Sequence, residues 1–333
     1  MNASYAYAVG NIRAREVRLL SRQDLEQLLS TEEIPRLEAA LRDKGFGVGA
    51  AAGLPSGTGG EESMERLLRE ETGNLWSYLR SVAPDWSLFE PFLYRNDIHN
   101  CKTVIKGVLS GREFHSLLLT PSTVEPGRLE KAVRDQEYGE LPLFLREAAR
   151  RAYEVLAHAN DAQLSDAIVD RSGMEAMLSS ARDKKVPLLY RIMEITVFYS
   201  NLKIALRCAR AGKSAAYLKE ALCPCPGLDT GRLTEAALAG EKAVLELMEA
   251  WDSLGSRRGA QIYGESPSAF ERYAEDLIIE QARRALAVTL GPEPLIGYLL
   301  VRERELKDLQ ILFSGLRAGQ EEEAIRRRLF SAS

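Results

Sequence analysis

The stretch YRNDIHNCKTVIKG at residues 94–107 decides the fold, because related stretches follow it twice further along the chain. The second is YSNLKIALR at residues 199–207, and the third is VRERELKDLQIL at residues 301–312. Each comes late in an amphipathic helical stretch. The lysines that align are 101 and 104 residues apart, namely Lys102, Lys203 and Lys307. The 333-residue chain therefore contains three similar helical parts, which is typical of a shaped protein that holds a partner.

Features that flank the lysines recur in the same order. Gly111 lies nine residues after the first lysine, and Gly212 lies nine residues after the second. The tripeptide GRL then appears at residues 127–129 and again at 231–233. The period is longer than the roughly 20–50 residues of a solenoid repeat. We therefore predict three duplicated domains around a pseudo-threefold axis, with the boundaries 1–115, 116–215 and 216–333.

Composition and charge limit the class of protein. The chain is 45% hydrophobic and 28% charged, which suits a packed core under a charged surface. A net charge of −4 provides no bulk field that would attract nucleic acid or anionic lipid. The amino terminus lacks the basic flank and apolar core of a secretory signal. No apolar run reaches the roughly 18–20 residues that a membrane helix needs. We expect a soluble cytoplasmic chain.

The cysteines and histidines form no recognisable metal or redox motif. Only Cys223 and Cys225 are close in sequence, as Cys-Pro-Cys, and neither a Cys-x-x-Cys pair nor a paired-histidine motif accompanies them. The three histidines are too scattered for a zinc site. We expect four reduced thiols, with no metal and no cofactor.

Helix formers dominate and alternating β-branched runs are absent, so we predict an all-α protein of roughly fourteen helices. Residues 12–29 fit one amphipathic helix, although Ser21 and Asp24 also resemble a helix start. Pro187 predicts the start of a long helix, and seven glycines predict a flexible loop over 45–60. The long helix is expected over 187–211, and the others over 61–80, 128–137, 143–159, 161–178, 234–254, 268–290, 295–317 and 321–329.

Stretches that resemble nucleotide-binding or catalytic motifs lack the spacing or the structural context that those motifs require. The glycines at 45–49 invite a dinucleotide interpretation, but the residues before them are helical and the spacing is wrong. GKS at 212–214 resembles the end of a phosphate-binding loop, but Arg207 occupies the place of the first glycine. Neither a Gly-x-Ser-x-Gly elbow nor the Asp-Asp-x-x-Asp of a metal-dependent lyase is present. The sequence therefore predicts no catalytic residue and no small-molecule substrate.

Basic side chains accompany each repeated lysine. In the second copy, four of them follow at i, i+4, i+7 and i+10, which places them on one side of a helix, and residues 201–213 contain no acid. The first copy has a similar stripe of basic residues, and in the third copy acidic residues are interspersed among the basic ones. A solvated helix face and a basic rim for an acidic or polar partner helix both remain open. The candidate contact residues are Arg95, Lys102, Lys106, Lys203, Arg207, Arg210, Lys213, Arg302 and Lys307.

Several of these stretches also carry a family resemblance. It begins with YAYAVGNIRAREVRLL at 5–20, continues through 201–213, and ends with GPEPLIGY at 291–298 and with residues 305–307 and 325–329. In this order, across nearly the whole chain, they resemble the C subunits of the A/V-type rotary ATPases (ATP synthases), the prokaryotic counterparts of the d subunit of the vacuolar ATPase. Each stretch alone is only moderately specific. The resemblance transfers no catalytic residue.

The resemblance implies a funnel-shaped, three-domain, all-helical rotor protein that is not an enzyme. It would lie peripherally at the cytoplasmic face of the cell membrane, on the proteolipid ring. It would receive the D and F proteins of the axle, so that torque links ATP hydrolysis or synthesis to proton or sodium transport. The alternative is a free-standing helical scaffold that binds an acidic partner helix. Neighbouring genes for the proteolipid and the catalytic subunits are expected only for the rotor.

Overall fold

The computed structural model describes residues 2–31, 33–47 and 61–329. Within these ranges the chain forms sixteen α-helices and no strand beyond one isolated bridge, which confirms the all-α class. A short π-helical segment extends α7, over Val155–Ala159. The helices are α1 (Asn2–Glu16), α2 (Arg22–Leu29), α3 (Ile34–Asp43), α4 (Glu61–Val82), α5 (Glu90–Ser110), α6 (Pro126–Asp135), α7 (Leu143–Glu154), α8 (Ala162–Asp183), α9 (Pro187–Ala211), α10 (Ala215–Ala221), α11 (Thr230–Ala239), α12 (Glu241–Trp251), α13 (Ser256–Glu265), α14 (Pro267–Leu286), α15 (Glu293–Arg317) and α16 (Glu322–Leu329).

Proline and glycine set the limits of the two helices that carry the first two lysines. Both α5 and α9 have proline in the first turn, where the missing N–H removes no intrahelical hydrogen bond. Both end at a glycine in the left-handed region, Gly111 with φ +67° and Gly212 with φ +61°. The predicted bounds of α9 are therefore confirmed, and the glycine stops that recur in the sequence recur in the fold.

The amino-terminal helix is interrupted. The hydroxyl of Ser21 accepts a hydrogen bond from the N–H of Asp24 at 3.1 Å, and the Asp24 carboxylate accepts one from the N–H of Ser21 at 2.8 Å. This reciprocal pair is a capping box, which starts a helix. The prediction of one helix over 12–29 was wrong, and the alternative start at Ser21 is confirmed.

Two further helix predictions were wrong at their boundaries. The helix predicted over 234–254 is divided into α11 and α12 at Gly240, whose φ of +121° no helix accommodates. The helix α13 was not predicted, and α14 ends at Leu286 rather than at residue 290. Most of the predicted glycine-rich loop, residues 48–60, lies outside the described residues. Residues 45–47 form a turn.

The chain forms two compact units. The first comprises residues 1–85 with 275–333, and α15 is its central helix, packed against α1, α3, α4 and α16. The second comprises residues 86–274, where α8 packs on α5, α7, α9 and α10, and α9 packs on α11 and α12. Close approach of α5 and α8 depends on Gly173, because a Cβ there would lie 1.9 Å from the Cδ1 of Ile98.

This grouping into two units does not test the internal duplication, and the division into three domains stays a prediction. None of the described helices combines the length and apolarity that crossing a bilayer requires.

Candidate partner-binding surface

A buried asparagine lies two residues before the lysine in the first two copies. The amide of Asn100 donates to the carbonyl of Leu119 at 2.9 Å and accepts from the N–H of Leu119 at 2.7 Å. The amide of Asn201 donates to the carbonyl of Cys223 at 2.7 Å and accepts from its N–H at 2.8 Å. Each asparagine therefore satisfies both backbone groups of one residue further along the chain, which is Leu119 in the loop after α5 and Cys223 in the loop after α10. We call this arrangement the loop clamp.

In the third copy the equivalent residue is Glu305, which is 4% exposed. Its carboxylate accepts a hydrogen bond from the backbone N–H of Leu20, in the loop between α1 and α2. Arg302 pairs with Glu305 and also donates to Glu71 at 2.8 Å. Burial raises the pKa of Glu305, and the Arg302 guanidinium opposes that rise. The equivalent of the loop clamp in the third copy is thus a carboxylate that holds only the N–H of one residue, in a segment near the amino terminus.

The first copy has an additional buried clamp at Asp97. Its carboxylate accepts hydrogen bonds from the N–H of Thr123 at 2.9 Å, the hydroxyl of Thr123 at 2.6 Å and the N–H of Val124 at 3.0 Å. Burial raises the pKa of Asp97, although all three hydrogen bonds favour the charged form. Together with Asn100, this side chain fixes the loop after α5 along its length.

The basic residues of the first copy are turned toward α8. The ammonium of Lys102 lies 2.6 Å from the carboxylate of Asp170, and that of Lys106 lies 2.7 Å from the carboxylate of Asp166. These ion pairs are partly exposed and join the antiparallel helices α5 and α8. Arg95 is exposed on α5. The two lysines are therefore neutralised within the second unit.

The basic residues of the third copy are likewise paired within their unit. Lys307 pairs with Glu275 at the surface. The Arg302 side chain is only 12% exposed and lies between two carboxylates. The guanidinium of Arg302 also lies 4.3 Å from the centre of the Phe46 ring. This arginine belongs to the packed interior of the first unit rather than to a solvent-facing stripe.

The second copy differs, because among the described residues only the end of its stripe forms an ion pair. Arg210 pairs with Glu241 on α12, which raises the pKa of the arginine through that hydrogen bond. The ammonium of Lys213 lies 5.0 Å from the centre of the Tyr217 ring. In the described part of the chain, Lys203 and Arg207 have neither a hydrogen bond nor an ion pair through their side chains.

Sequence reasoning did not identify the loop clamps, although their residues stand in the repeated stretches. Asn100, Asn201 and Glu305 share one position relative to the lysine. Aligning the three copies places a polar residue at the same position in each, and this recurrence is the signal from which the clamps could have been predicted. The prediction of a contact surface rested on the charged lysines, whereas the clamp residues are buried in the protein interior.

No group of histidine, cysteine and acidic side chains among the described residues is arranged to hold a metal ion. The four cysteines are free thiols. Burial raises the pKa of Cys101 and of Cys223 to about 12, so both are protonated at neutral pH. Neither thiol has the exposure or the thiolate character of a nucleophile.

Comparison with known proteins finds matches over almost the whole chain. The model of the ATP synthase (C/AC39) subunit family matches residues 8–328. The chain is 22% identical to the C subunit of the V-type sodium ATPase of Enterococcus hirae, over 92% of each chain. It is 26% identical to the C subunit of the A-type ATP synthase of Methanothermobacter thermautotrophicus, over 92% of this chain and 83% of the relative. It is 23% identical to the C subunit of the V-type ATP synthase of Thermus thermophilus, over 98% of this chain and 99% of the relative.

Proposed function

The chain belongs to the ATP synthase (C/AC39) subunit family, and we propose that it is the non-catalytic central-stalk member of a rotary A/V-type ATPase. In this role it connects the D and F proteins of the axle to the proteolipid ring and lies peripherally at the cytoplasmic face of the membrane. Torque passes through it between the ring and the nucleotide-hydrolysing subunits. The observation that carries the proposal is the family match over residues 8–328, together with relatives named as C subunits that match over most of their own length.

The loop clamps support a torque-bearing role in physical terms. A loop whose backbone is held by a buried side chain of its neighbouring helix loses conformational freedom, because each such hydrogen bond is costly to leave unmade. The clamps of Asn100 and Asn201 hold both backbone groups of the residue that they contact. A coupling protein needs loops that transmit force without refolding, and the restriction of these loops by buried hydrogen bonds supports the proposal.

Of the nine candidate contact residues, we propose that Lys203 and Arg207 make the strongest contribution to partner binding. Lys102, Lys106 and Lys307 already meet carboxylates within their own unit. Lys203 and Arg207 have no such neighbour among the described residues, and Arg207 is exposed. An acidic segment of a partner would supply the missing carboxylates and would be drawn in by complementary charge.

The role is tested by purifying the tagged chain from detergent-solubilised membranes of its source organism and identifying the proteins that accompany it by mass spectrometry. Recovery of the D and F proteins together with the proteolipid is the expected result. A chain that elutes alone, under conditions in which the ATPase stays intact, would overturn the role and leave the free-standing scaffold.

The contact face is tested by the double variant Lys203→Glu and Arg207→Glu in the same purification. We expect less of the D and F proteins to be recovered, with little change in the melting temperature, because neither side chain makes a hydrogen bond or an ion pair with the described residues of the fold. The control is Lys242→Glu, since Lys242 is 91% exposed and lies on another helix of the same unit. Equal recovery from the double variant and the control would reject these two residues as contacts.

A further inference from the structure

A cleft of about 1010 Å³ follows α8 in the second unit. Its lining on this helix extends from Ile168 to Lys184, which corresponds to about 24 Å at about 1.5 Å per residue. Small-molecule pockets occupy roughly 300–1,000 Å³ and enclose their ligand, whereas this cleft is long and open along one side. Its length matches a helical segment of about sixteen residues.

The walls of the cleft are two helices held in fixed register. The hydroxyl of Ser165 on α8 donates to the carbonyl of Ala152 on α7 at 2.9 Å, and the hydroxyl of Ser172 donates to the carbonyl of Phe144. Because the residue numbers run in opposite directions, α7 and α8 are antiparallel. The beginning of α5 continues the α7 wall, where the rings of Tyr94 and Phe144 lie 4.7 Å apart between centres.

Part of the cleft lining is apolar. Phe144, Ile168 and Ala176 contribute to it. Leu143 also belongs to the lining, and 81% of its surface is exposed. A single exposed leucine is ordinary, but one that accompanies other apolar lining residues adds to a patch that a partner can cover.

The rim of the cleft is acidic after its internal pairs are taken into account. Arg151 donates to Glu220 at 2.9 Å, and Arg171 donates to Glu175 at 2.8 Å, so these four charges compensate one another. Glu147 pairs with Arg150, which lies outside the lining. The charged lining residues for which the described part of the chain provides no ion pair are Glu90, Asp183 and Lys184, two acids against one base. An acidic segment would be repelled here, and a basic one would be attracted.

We infer that the groove between α7 and α8 binds an amphipathic helix of a partner protein, about four turns long, that carries lysine or arginine along its edges. Its apolar face covers Leu143 and Phe144, and its basic side chains meet Glu90 and Asp183. The charge requirement is opposite to that of Lys203 and Arg207, so the two surfaces select different segments. The inference does not depend on the rotary role.

The first test uses a fluorescently labelled peptide of about sixteen residues, with leucine at helical spacing and lysine elsewhere, against the full-length chain. A second peptide carries glutamate in place of every lysine. We expect the lysine peptide to bind at least about tenfold more tightly, as measured by fluorescence anisotropy. Equal affinities, or no binding of the lysine peptide up to about 1 mM, would overturn the inference.

The second test places the binding in the groove. Ser179→Trp adds bulk at an exposed position of the lining, and Asp183→Lys reverses a rim charge. Both should weaken binding of the lysine peptide by about tenfold. Gln163→Trp is the matched control, because this exposed residue lies on α8 outside the lining, and it should bind like the wild type.

Unchanged affinity in both groove variants would place the peptide elsewhere and reject the site. If Ser179→Trp lowers the melting temperature, the affinity of Asp183→Lys alone tests the site, because replacing one exposed charged side chain with another should leave the fold intact. A diazirine on the peptide should crosslink to residues 142–148 or 172–184. Crosslinks confined to other segments would contradict the inference.

Discussion

Glu305 and Leu20 are 285 residues apart in the sequence, and the carboxylate of the first accepts a hydrogen bond from the backbone N–H of the second. Asn100 and Asn201 hold loops a short distance further along the chain, at Leu119 and Cys223. Glu305 occupies the same position relative to its lysine, but its loop comes from the start of the chain. The third copy of the repeated arrangement is therefore completed by the amino-terminal segment.

Asn201→Ala should destabilise the protein strongly. The substitution leaves the N–H and the carbonyl of Cys223 without partners in a buried site, at about 1–3 kcal/mol for each group. We expect the free energy of unfolding to fall by about 2–6 kcal/mol in a urea titration. Lys203→Ala, two residues away and without a hydrogen bond, is the control and should change it by less than about 0.5 kcal/mol. Similar midpoints for the two variants would show that the loop clamp is not important for stability.

Gly173→Ala should destabilise the contact of α5 with α8. The new Cβ would lie 1.9 Å from the Cδ1 of Ile98, and overpacking of this kind costs about 1–3 kcal/mol. Gly73→Ala is the matched control, because Gly73 is exposed within α4 and has nothing within 4 Å of an added Cβ. That variant should gain about 0.5–1 kcal/mol from helix propensity.

Combining Gly173→Ala with Ile98→Ala tests the cause of the loss, since the alanine lacks both the Cδ1 atom and the Cγ1 atom, which would lie 2.3 Å from the added Cβ. The double variant should lose less stability than the sum of the two single variants, measured by chemical denaturation. Strict additivity would mean that the loss at Gly173 has another origin.

The capping box at Ser21 should make stability depend on pH. The hydrogen bond from Lys44, followed by those from Ser21, lowers the pKa of Asp24 from 3.8 to about 2. Because the pKa in the folded state lies below that in the unfolded state, the stabilisation is present above about pH 4 and is lost as the pH falls through about 2. Asp24→Asn should be less stable than the wild type at neutral pH, by about 1 kcal/mol for the cap.

The difference in free energy of unfolding between the wild type and Asp24→Asn should become smaller as the pH falls from about 4 to about 2, as measured by urea denaturation at each pH. Asp43→Asn, at the exposed end of α3, is the control and should not lower stability at neutral pH. A gap between wild type and Asp24→Asn that stays constant with pH would contradict the assignment.

Lys102→Glu should lower stability, because it places a second carboxylate beside Asp170 on α8. The ion pair is partly exposed, so we expect a change of about 1 kcal/mol or less. The charge swap Lys102→Glu with Asp170→Lys should recover most of the loss. Lys203→Glu should leave the melting temperature unchanged, and a loss equal to that of Lys102→Glu would reveal an acidic neighbour that the structure does not show.

Helices with strong terminal signals could be predicted from the sequence. Pro187 and Gly212 limit α9, and the prediction of 187–211 was confirmed. The break between α11 and α12 was missed, because the apolar periodicity continues across Gly240 and only its backbone conformation interrupts the helix. Such a break depends on how the two helices pack, which local sequence does not contain.

The basic stripes likewise show that local sequence does not determine which residues become neighbours in the tertiary fold. Helical spacing predicts that Lys203 and Arg207 share a face, but it does not say what lies opposite that face. Asp170 is 68 residues from Lys102, and no local pattern joins the two. The alignment of the copies predicted equivalent positions in three helices, whereas the tertiary fold decides which of the charges remain without a partner.

The contact of Glu305 with Leu20 has a consequence for biosynthesis. Helices α1 and α4 leave the ribosome early, but the helix against which they pack, α15, is translated only after the whole of the second unit. The second unit has all of its residues available first and can fold while the amino-terminal helices wait. During that interval α1 and α4 lack the helix against which most of their packing forms, so the first unit can complete its core only after α15 has been translated.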